Sequence, residues 1–352
     1  MAQRPASASS RRTDHLLLAA AAGGAALLLR RGPWRWLAGA AATAQLVRAW
    51  QAKPDRAQAV RWPCLPEALR TARVNDIDMR WEEHGHPEAH DTVVFVHGLP
   101  TSPRRWRYVM AQVLRPGVRC LAWEMVGYGG SLRAGLTRNI SVARQAEYLH
   151  FWLQHLGVGR AILVGHDVGG GVVQRVAALY PEVCAGLVLA DSVAYDNWPV
   201  APVATARKAS GVIEKTPPKL VRRAVQRGLL ALGEKDDPVR RTSARLHAAP
   251  YARPEGPAAL AHQLRSLNNL DTLNIASRLP ELRVPARVVW GEDDLLSLDS
   301  GEQLAQDLRA RLLCIAHARH FTPEDHPGTL ARAVGQVLTE AHYATAAARP
   351  FR

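Results

Sequence analysis

The chain has 352 residues, of which 47% are apolar, so it can bury one large core with an insertion, or two modest domains. Its formal net charge of +14 would ordinarily indicate a nucleic-acid partner. Residues 1–62, however, contain ten basic and two acidic residues, so +8 of that charge lies in this segment. The rest of the chain is close to the charge balance of an ordinary enzyme, and we expect no nucleic-acid partner.

Two uncharged apolar runs, at residues 16–29 and 37–47, lie within this basic N-terminal segment. Each run is shorter than the ~20 residues that a helix needs to cross a bilayer. Arginines flank the first run on both sides, which suits the cytoplasmic face of a membrane. We therefore interpret residues 1–62 as an apolar extension that associates with a membrane and leaves the following domain in the cytoplasm. A cleaved export signal and an Ala-rich helix packed on the domain are the alternatives.

From about residue 72 the sequence changes to predicted strands that alternate with predicted helices. "TVVFVHG" is a continuous apolar run, typical of a strand buried on both faces, and "RCLAWEMVG", "AILVGH" and "AGLVLADS" are predicted as further strands. Two further strands are predicted near the C-terminus, in "ARVVWGEDD" and "RLLCIAHARH". This alternation predicts a doubly wound, mostly parallel α/β sheet that binds its ligand at the carboxyl ends of the strands.

The alternation stops between residues 195 and 280, where basic helical segments are interrupted by prolines. We interpret residues 195–280 as a helical lid inserted over the strand ends. The predicted core then consists of residues 72–194 and 281–345.

The motif "GHDVG" places Asp167 between Gly165 and Gly169, at the point where a buried strand gives way to a helix. This is the form G-x-nucleophile-x-G, a sharp turn that presents one side chain at the top of a sheet. An aspartate that only capped the helix would not need glycine on both sides. The pattern therefore favours a nucleophile over a cap.

Three other segments support a catalytic interpretation of Asp167. The loop "VHGLPTSPRRW" follows a buried strand and places the Leu99 amide where it can join the Val168 amide as an oxyanion hole. The motif "GEDD" ends a later strand, and "ARHFTPEDHP" places His320 in the loop before the last helix. Asp167, an acid and His320 thus follow in the chain order of a catalytic triad on this type of sheet.

Residues 72–342 resemble the α/β-hydrolase superfamily, in the aspartate-nucleophile branch that holds epoxide hydrolases and haloalkane or haloacetate dehalogenases. The resemblance rests on "HGLPTS", "GYGGS", "GHDVGG", "GEDD" and "RHFTPEDHP". It implies an α/β-hydrolase fold with Asp167 as nucleophile and His320 as base, and no cofactor or metal. As the triad acid it implies Asp294, with Asp191 at the end of the strand after the nucleophile helix as the alternative.

The choice of aspartate over serine indicates the kind of substrate. A carboxylate that attacked an acyl group would form an anhydride, whereas attack on a saturated carbon forms an ordinary alkyl ester. We therefore expect a small hydrophobic substrate with an electrophilic sp3 carbon. In the second half-reaction His320 would activate a water that attacks this ester, while the amides of Leu99 and Val168 stabilise the oxyanion.

The leaving group separates the possible enzymes. Haloalkane dehalogenases, which this sequence resembles, generally hold the departing halide with side-chain N–H donors at two positions. The residues at these positions here are Val168 and Leu99, whose side chains have no N–H. Epoxide hydrolases resemble one another in using lid tyrosines as proton donors, and Tyr251 and Tyr195 are the candidates here. We therefore predict an epoxide hydrolase that converts an epoxide to a diol.

Trp106 and Trp198 are candidates to line the substrate pocket. Two alternative functions remain open. One is a haloalkane or haloacetate dehalogenase whose halide site uses Trp106 and a lid residue. The other is a non-catalytic, membrane-tethered binding protein of the same fold.

Overall fold

The computed structural model describes residues 62–233 and 238–347. The predicted membrane-associated extension thus lies outside the described residues, apart from Trp62. Among the helices that are described, none is both long enough and apolar enough to cross a membrane.

Eight strands form one sheet in the order β1-β2-β4-β3-β5-β6-β7-β8. The strands are β1 Leu69–Val74, β2 Ile77–His84, β3 Asp91–Val96, β4 Val118–Glu124, β5 Ala161–Asp167, β6 Cys184–Ser192, β7 Ala286–Gly291 and β8 Arg311–Ile315. Strands β1 and β2 are antiparallel to their neighbours, and all the pairings from β4 to β8 are parallel. The mostly parallel sheet predicted from the sequence is therefore confirmed.

The central strands are buried on both faces, as their continuous apolar runs predict. Successive side chains of a strand point to opposite faces, so β3 contributes to two separate cores. Val94 and Val96 belong to the core on one face, whereas Val93 and Phe95 belong to the core on the other. Side chains on both faces of the central strands are thus packed in a core, which fixes the positions of the residues at the carboxyl ends of these strands.

Helices cover both faces of the sheet and continue between β6 and β7. Those before β6 are α1 Arg107–Val113, α2 Leu132–Gly135, α3 Val142–His155 and α4 Val168–Leu179. Those between β6 and β7 are α5 Ala201–Lys208, α6 Ser210–Glu214, α7 Pro218–Leu232, α8 Pro238–Ala248, α9 Gly256–Arg265 and α10 Leu270–Leu273. Those after β7 are α11 Leu298–Asp307, α12 Thr322–Asp325 and α13 Pro327–Ala347.

Helix α7 illustrates how the segment between β6 and β7 packs. It begins at Pro218, which suits the first turn of a helix because its missing N–H is not needed there. Val221, Val225 and Leu229 recur at a spacing of four residues and are its buried residues. The helix therefore packs on the protein through one apolar stripe.

Candidate active site

Asp167 lies at a strained turn between β5 and α4. Its backbone has φ 52° and ψ −126°, a conformation that residues with a side chain rarely adopt, and its side chain does not cap α4. The neighbouring glycines are required by close packing. A Cβ on Gly169 would lie 2.3 Å from the carbonyl oxygen of Val96, and one on Gly165 would lie 2.6 Å from that of Gly169.

The loop after β3 supplies hydrogen bonds to Asp167. The Leu99 amide donates to Oδ2 of Asp167 over 2.8 Å. A Cβ on Gly98 would lie 2.4 Å from the same oxygen, so only glycine lets the loop approach this closely. His97 fixes the loop from below, because the Met125 amide donates to its Nε2 over 3.2 Å and its Nδ1 lies 3.0 Å from the Gly98 carbonyl.

Burial and hydrogen bonding act on the Asp167 carboxyl in opposite directions. Burial raises the pKa of Asp167, while His320 and the hydrogen bonds from the amides of Leu99 and Val168 lower it. Burial prevails, so the pKa lies above its ordinary value of 3.8. The two amides predicted as an oxyanion hole thus both contact the carboxylate that would become the ester carbonyl.

His320 lies between two carboxylates. Its Nδ1 is 2.9 Å from Oδ1 and 3.1 Å from Oδ2 of Asp294, and its Nε2 is 3.9 Å from Oδ1 of Asp167. Burial alone would lower the pKa of His320, but Asp294 and then Asp167 raise it to about 9. The imidazole is therefore oriented by Asp294 and carries a proton at neutral pH.

Asp191, the alternative acid, does not contact the imidazole of His320. Its Oδ1 accepts from the Gly291 amide over 2.8 Å, and its Oδ2 accepts from the Thr322 hydroxyl. Burial, and then the nearby carboxylate of Asp294, raise the pKa of Asp191 well above its ordinary value. Asp191 therefore ties the ends of β6 and β7 to the start of α12.

A cavity of about 70 Å³ opens beside Asp167 and His320, and its lining is almost entirely apolar. The sheet side contributes Leu99, Val168, Val193, Leu295 and Leu296. The segment between β6 and β7 contributes Trp198, Pro199, Val200, Val203, Leu232 and Leu267. The cavity thus presents a carboxylate and an imidazole to a small apolar molecule.

Neither tyrosine predicted as a proton donor lines this cavity. The Tyr251 hydroxyl donates to Gln263 Oε1 over 2.8 Å, and Gln263 in turn donates to the Gly127 carbonyl over 2.6 Å. The Tyr195 hydroxyl donates to Asp307 Oδ2 over 2.6 Å, on α11. Each hydroxyl is thus bonded to a partner outside the cavity, and the role of either tyrosine as proton donor stays a prediction.

The two tryptophans predicted to line the pocket lie in different places. Trp198 lines the cavity, and its indole N–H donates to the Thr272 hydroxyl over 2.8 Å. Trp106 is fully buried in the core, with its ring 5.3 Å from that of Phe95 and 6.4 Å from that of His166. Trp106 therefore does not line this cavity.

A buried ionic cluster next to the site was not foreseen from the sequence. Glu324 on α12 accepts hydrogen bonds from Arg105, Arg107 and Ser243, and His247 Nε2 lies 3.6 Å from its Oε1. Ser243 and His247 belong to α8, so the cluster joins that helix to the segment that carries His320. The signal in the sequence was the segment "RRWRY", residues 104–108, in which Arg105 and Arg107 alternate with the aromatic residues Trp106 and Tyr108.

The described part of the chain holds no group of three or more His, Cys, Asp or Glu side chains arranged to bind a metal ion. The polar groups that face the cavity are those of Asp167 and His320. The cavity therefore offers a substrate a carboxylate, an imidazole and backbone amides.

The model of a family described as "alpha/beta hydrolase fold" matches residues 91–327. The chain is 36% identical over 122 residues to a bifunctional epoxide hydrolase 2 of Sus scrofa, which is 34% of this chain and 21% of that protein. It is 31% identical over 119 residues to a haloalkane dehalogenase of Bradyrhizobium diazoefficiens, which is 34% of this chain and 37% of that protein. The matched region is thus well under half of each relative's length.

A solved α/β-hydrolase fold protein from Burkholderia ambifaria has the same fold. The two chains superpose with a TM-score of 0.69 and 23% sequence identity, over 78% of this chain and 99% of that chain. At this identity the likeness concerns the fold alone.

Proposed function

Because the chain belongs to the alpha/beta hydrolase fold family, we propose that it is a hydrolase that forms an ester on Asp167 and then cleaves it with water. One observation carries the proposal. The Asp167 carboxylate faces an apolar cavity with Oδ2 held by the Leu99 amide, while Oδ1 lies 3.9 Å from an imidazole oriented by Asp294. A nucleophile, a base and an acid are thus in the order that the reaction needs.

In the first step Oδ1 of Asp167 attacks a saturated carbon of the substrate. This oxygen is the free one, since Oδ2 accepts from the Leu99 amide. The C–O bond to Asp167 forms as the bond to the leaving group breaks, and the product is a neutral alkyl ester. The apolar lining of the cavity favours an uncharged substrate and keeps water away from the ester while it forms.

In the second step water attacks the carbonyl carbon of the ester. Neutral His320 takes the proton from that water, and Asp294 stabilises the imidazolium that results. The negative charge develops on Oδ2, which the Leu99 amide already contacts, and the Val168 amide, which also interacts with this carboxyl, is the second donor. Collapse of the tetrahedral intermediate releases an alcohol and restores the Asp167 carboxylate.

The proton of His320 links the two steps. Asp167 is one of the carboxylates that raise the pKa of His320 to about 9 in the free protein. Ester formation removes that negative charge, so the pKa of His320 falls and its proton becomes available to the leaving group. The imidazole is then neutral, which is the form required to activate water.

This proton favours an epoxide as the substrate. An opening epoxide produces an alkoxide, which stays attached to the substrate and takes up one proton. A halide leaves without a proton but needs side-chain N–H donors to hold it. Trp198 is the tryptophan of the cavity, and its N–H is bonded to Thr272. We therefore favour conversion of a small apolar epoxide to a diol, with dehalogenation as the second candidate because a haloalkane dehalogenase is among the similar proteins.

Intact-protein mass spectrometry with a panel of terminal epoxides and alkyl halides tests the proposal. The His320→Gln variant should accumulate a covalent adduct of substrate mass, because the ester forms but water is not activated. Asp167→Asn should form none. His317→Gln, at an exposed histidine nearby, is the matched control and should turn over normally.

The product decides between the candidates. Diol from the epoxides, without halide release, supports the epoxide hydrolase. Halide release without epoxide opening supports the dehalogenase. Absence of both turnover and adduct across the panel would contradict the aspartyl-ester mechanism and favour a binding protein.

A further inference from the structure

Positive charge is concentrated in two parts of the chain. Residues 195–280 contain 14 basic and 7 acidic residues, a balance of +7. Residues 1–62 carry +8, and the rest of the chain contains 21 basic and 22 acidic residues. The sheet and its covering helices are therefore nearly neutral, and the excess over neutrality lies in the N-terminal segment and in the helices between β6 and β7.

Helices α5 to α7 hold most of the charge of the second part. Residues 201–232 include seven basic residues and one acidic residue, Glu214. Six of the basic residues are exposed: Arg207, Lys208, Lys215, Lys219, Arg223 and Arg227. Glu214 pairs with Arg265 on α9, and none of the six exposed cations forms an ion pair within the described ranges. As far as the described residues go, these six cations are therefore available to an external anion.

Two aliphatic side chains are exposed among these cations. Val212 is 70% exposed and Leu220 is 50% exposed. In α7, Leu220 follows Lys219 on the outer side, whereas the buried stripe of the helix faces the protein. We call Val212, Leu220 and the six cations the basic lid face.

We propose that the basic lid face docks on the surface of an anionic lipid bilayer. Aliphatic side chains can enter the boundary between headgroups and acyl chains while lysines and arginines contact the lipid phosphates. A single-stranded nucleic acid would be held by stacking on aromatic side chains, and residues 201–232 contain no aromatic residue. A duplex would contact the cations but leave Val212 and Leu220 without a partner. Lipid is the partner that uses both kinds of side chain.

Docking would bring the cavity close to the membrane. Val203 of α5 and Leu232 of α7 line the cavity, so two of the helices that carry the basic lid face also form part of the cavity wall. The cavity then lies about one helix diameter, ~10 Å, from the lipid surface. A small apolar molecule dissolved in the bilayer would have a short path to Asp167.

A local probe on the full chain tests the docking, because the N-terminal segment could hold the protein on vesicles by itself. Leu220→Cys is labelled with a polarity-sensitive dye after Cys64 and Cys314, the two exposed cysteines, are changed to Ser. Vesicles that contain about 30 mol% phosphatidylglycerol should shift the dye emission to the blue, whereas vesicles of pure phosphatidylcholine should not. The double change Arg223→Glu and Arg227→Glu should weaken the response by at least about tenfold, since each cation contributes roughly fivefold.

Two controls lie at the opposite edge of the sheet. The first control is a dye on Tyr343→Cys, which should not respond. Tyr343 is 74% exposed, and its neighbour His342 contacts Asp91 at the start of β3. Arg115→Glu, at an exposed position before β4, should leave the response of the Leu220 dye unchanged. The proposal is overturned if vesicle-bound protein shows no shift at Leu220, if Tyr343 responds equally, or if duplex DNA rather than lipid produces the shift.

Discussion

His320 Nδ1 contacts both oxygens of Asp294, at 2.9 and 3.1 Å, and this pairing fixes which ring nitrogen faces the cavity. An N–H at Nδ1 that donates to a carboxylate leaves Nε2 directed toward Asp167. Asp294 is fully buried at its side chain, so the contact is shielded from water. The strand end of β7, rather than that of β6, therefore supplies the group that orients the imidazole.

Replacement of Asp294 by Asn should reduce turnover strongly, because the amide no longer selects the required tautomer. Loss of the corresponding acid in the serine-protease triad costs about 10⁴-fold in kcat, and we expect a loss of about 10³-fold or more here. Asp191→Asn is the matched control and should change kcat by less than about tenfold, since its oxygens accept from Gly291 and Thr322. A severe effect of Asp191→Asn with a mild effect of Asp294→Asn would reverse the assignment.

The rate of ester formation should depend on the ionisation of two groups, Asp167 at acid pH and His320 at alkaline pH. The acid limb should lie above pH 3.8, because burial raises the pKa of Asp167 and only the carboxylate attacks. For an epoxide the rate should fall again above about pH 9, where His320 loses the proton destined for the alkoxide. Rapid-quench mass spectrometry at several pH values measures both limbs. An alkyl halide measured in parallel should lack the alkaline limb, since its leaving group takes no proton, and an epoxide profile without that limb would exclude His320 as the proton source.

The tyrosine variants should leave catalysis intact. Because the Tyr251 and Tyr195 hydroxyls donate to Gln263 and Asp307, their replacement by Phe removes structural hydrogen bonds only. We expect ester formation within about twofold of the unchanged protein and a loss of roughly 1 kcal/mol in the free energy of unfolding. Stopped-flow kinetics and urea denaturation measure the two quantities. A loss of about 10²-fold in ester formation for either variant would show that its hydroxyl reaches the substrate in the bound state.

The parts of the site that could be predicted from the sequence are those set by local backbone chemistry. Glycines around Asp167 are needed because β5 turns sharply into α4 against the carbonyls of β3. The strand pattern likewise follows from burial on both faces, and it places the residues after β5 and β7 at one edge. Such features depend on a few neighbouring residues and therefore leave a readable pattern.

The direction of a side chain in the segment between β6 and β7 depends on distant partners instead. Tyr251 is held by Gln263 and the Gly127 carbonyl, and Tyr195 by Asp307, and no spacing in the sequence links these residues. Trp106 follows the oxyanion loop in the chain but points into the core beside Phe95. The predicted domain boundaries and the membrane role of residues 1–62 stay predictions.

We expect the ionic cluster around Glu324 to make a large contribution to the free energy of unfolding, because it joins α8 to α12. Arg105 is 1% exposed at its side chain, lies 3.9 Å from the centre of the Phe321 ring, and forms an ion pair with Glu324. Glu324→Gln leaves Arg105 and Arg107 buried without that charge, and we expect a loss of about 3 kcal/mol in the free energy of unfolding at pH 7. Denaturant titration followed by circular dichroism measures it. Glu340→Gln, in an exposed pair with Arg287, is the control and should cost about 1 kcal/mol or less.

The contribution of Glu324 should also depend on pH. Burial alone would raise the pKa of Glu324, but Arg105 and Arg107 lower it well below 4.5. A group whose pKa is lowered by folding stabilises the protein fully above its unfolded-state pKa and loses this effect as the pH falls toward its folded-state pKa. The difference in stability between the unchanged protein and Glu324→Gln should therefore be constant from pH 8 to about pH 5 and narrow below about 4.5. A difference that widens as the pH falls would mean that Glu324 is protonated in the folded protein, and that the two arginines are neutralised by another group.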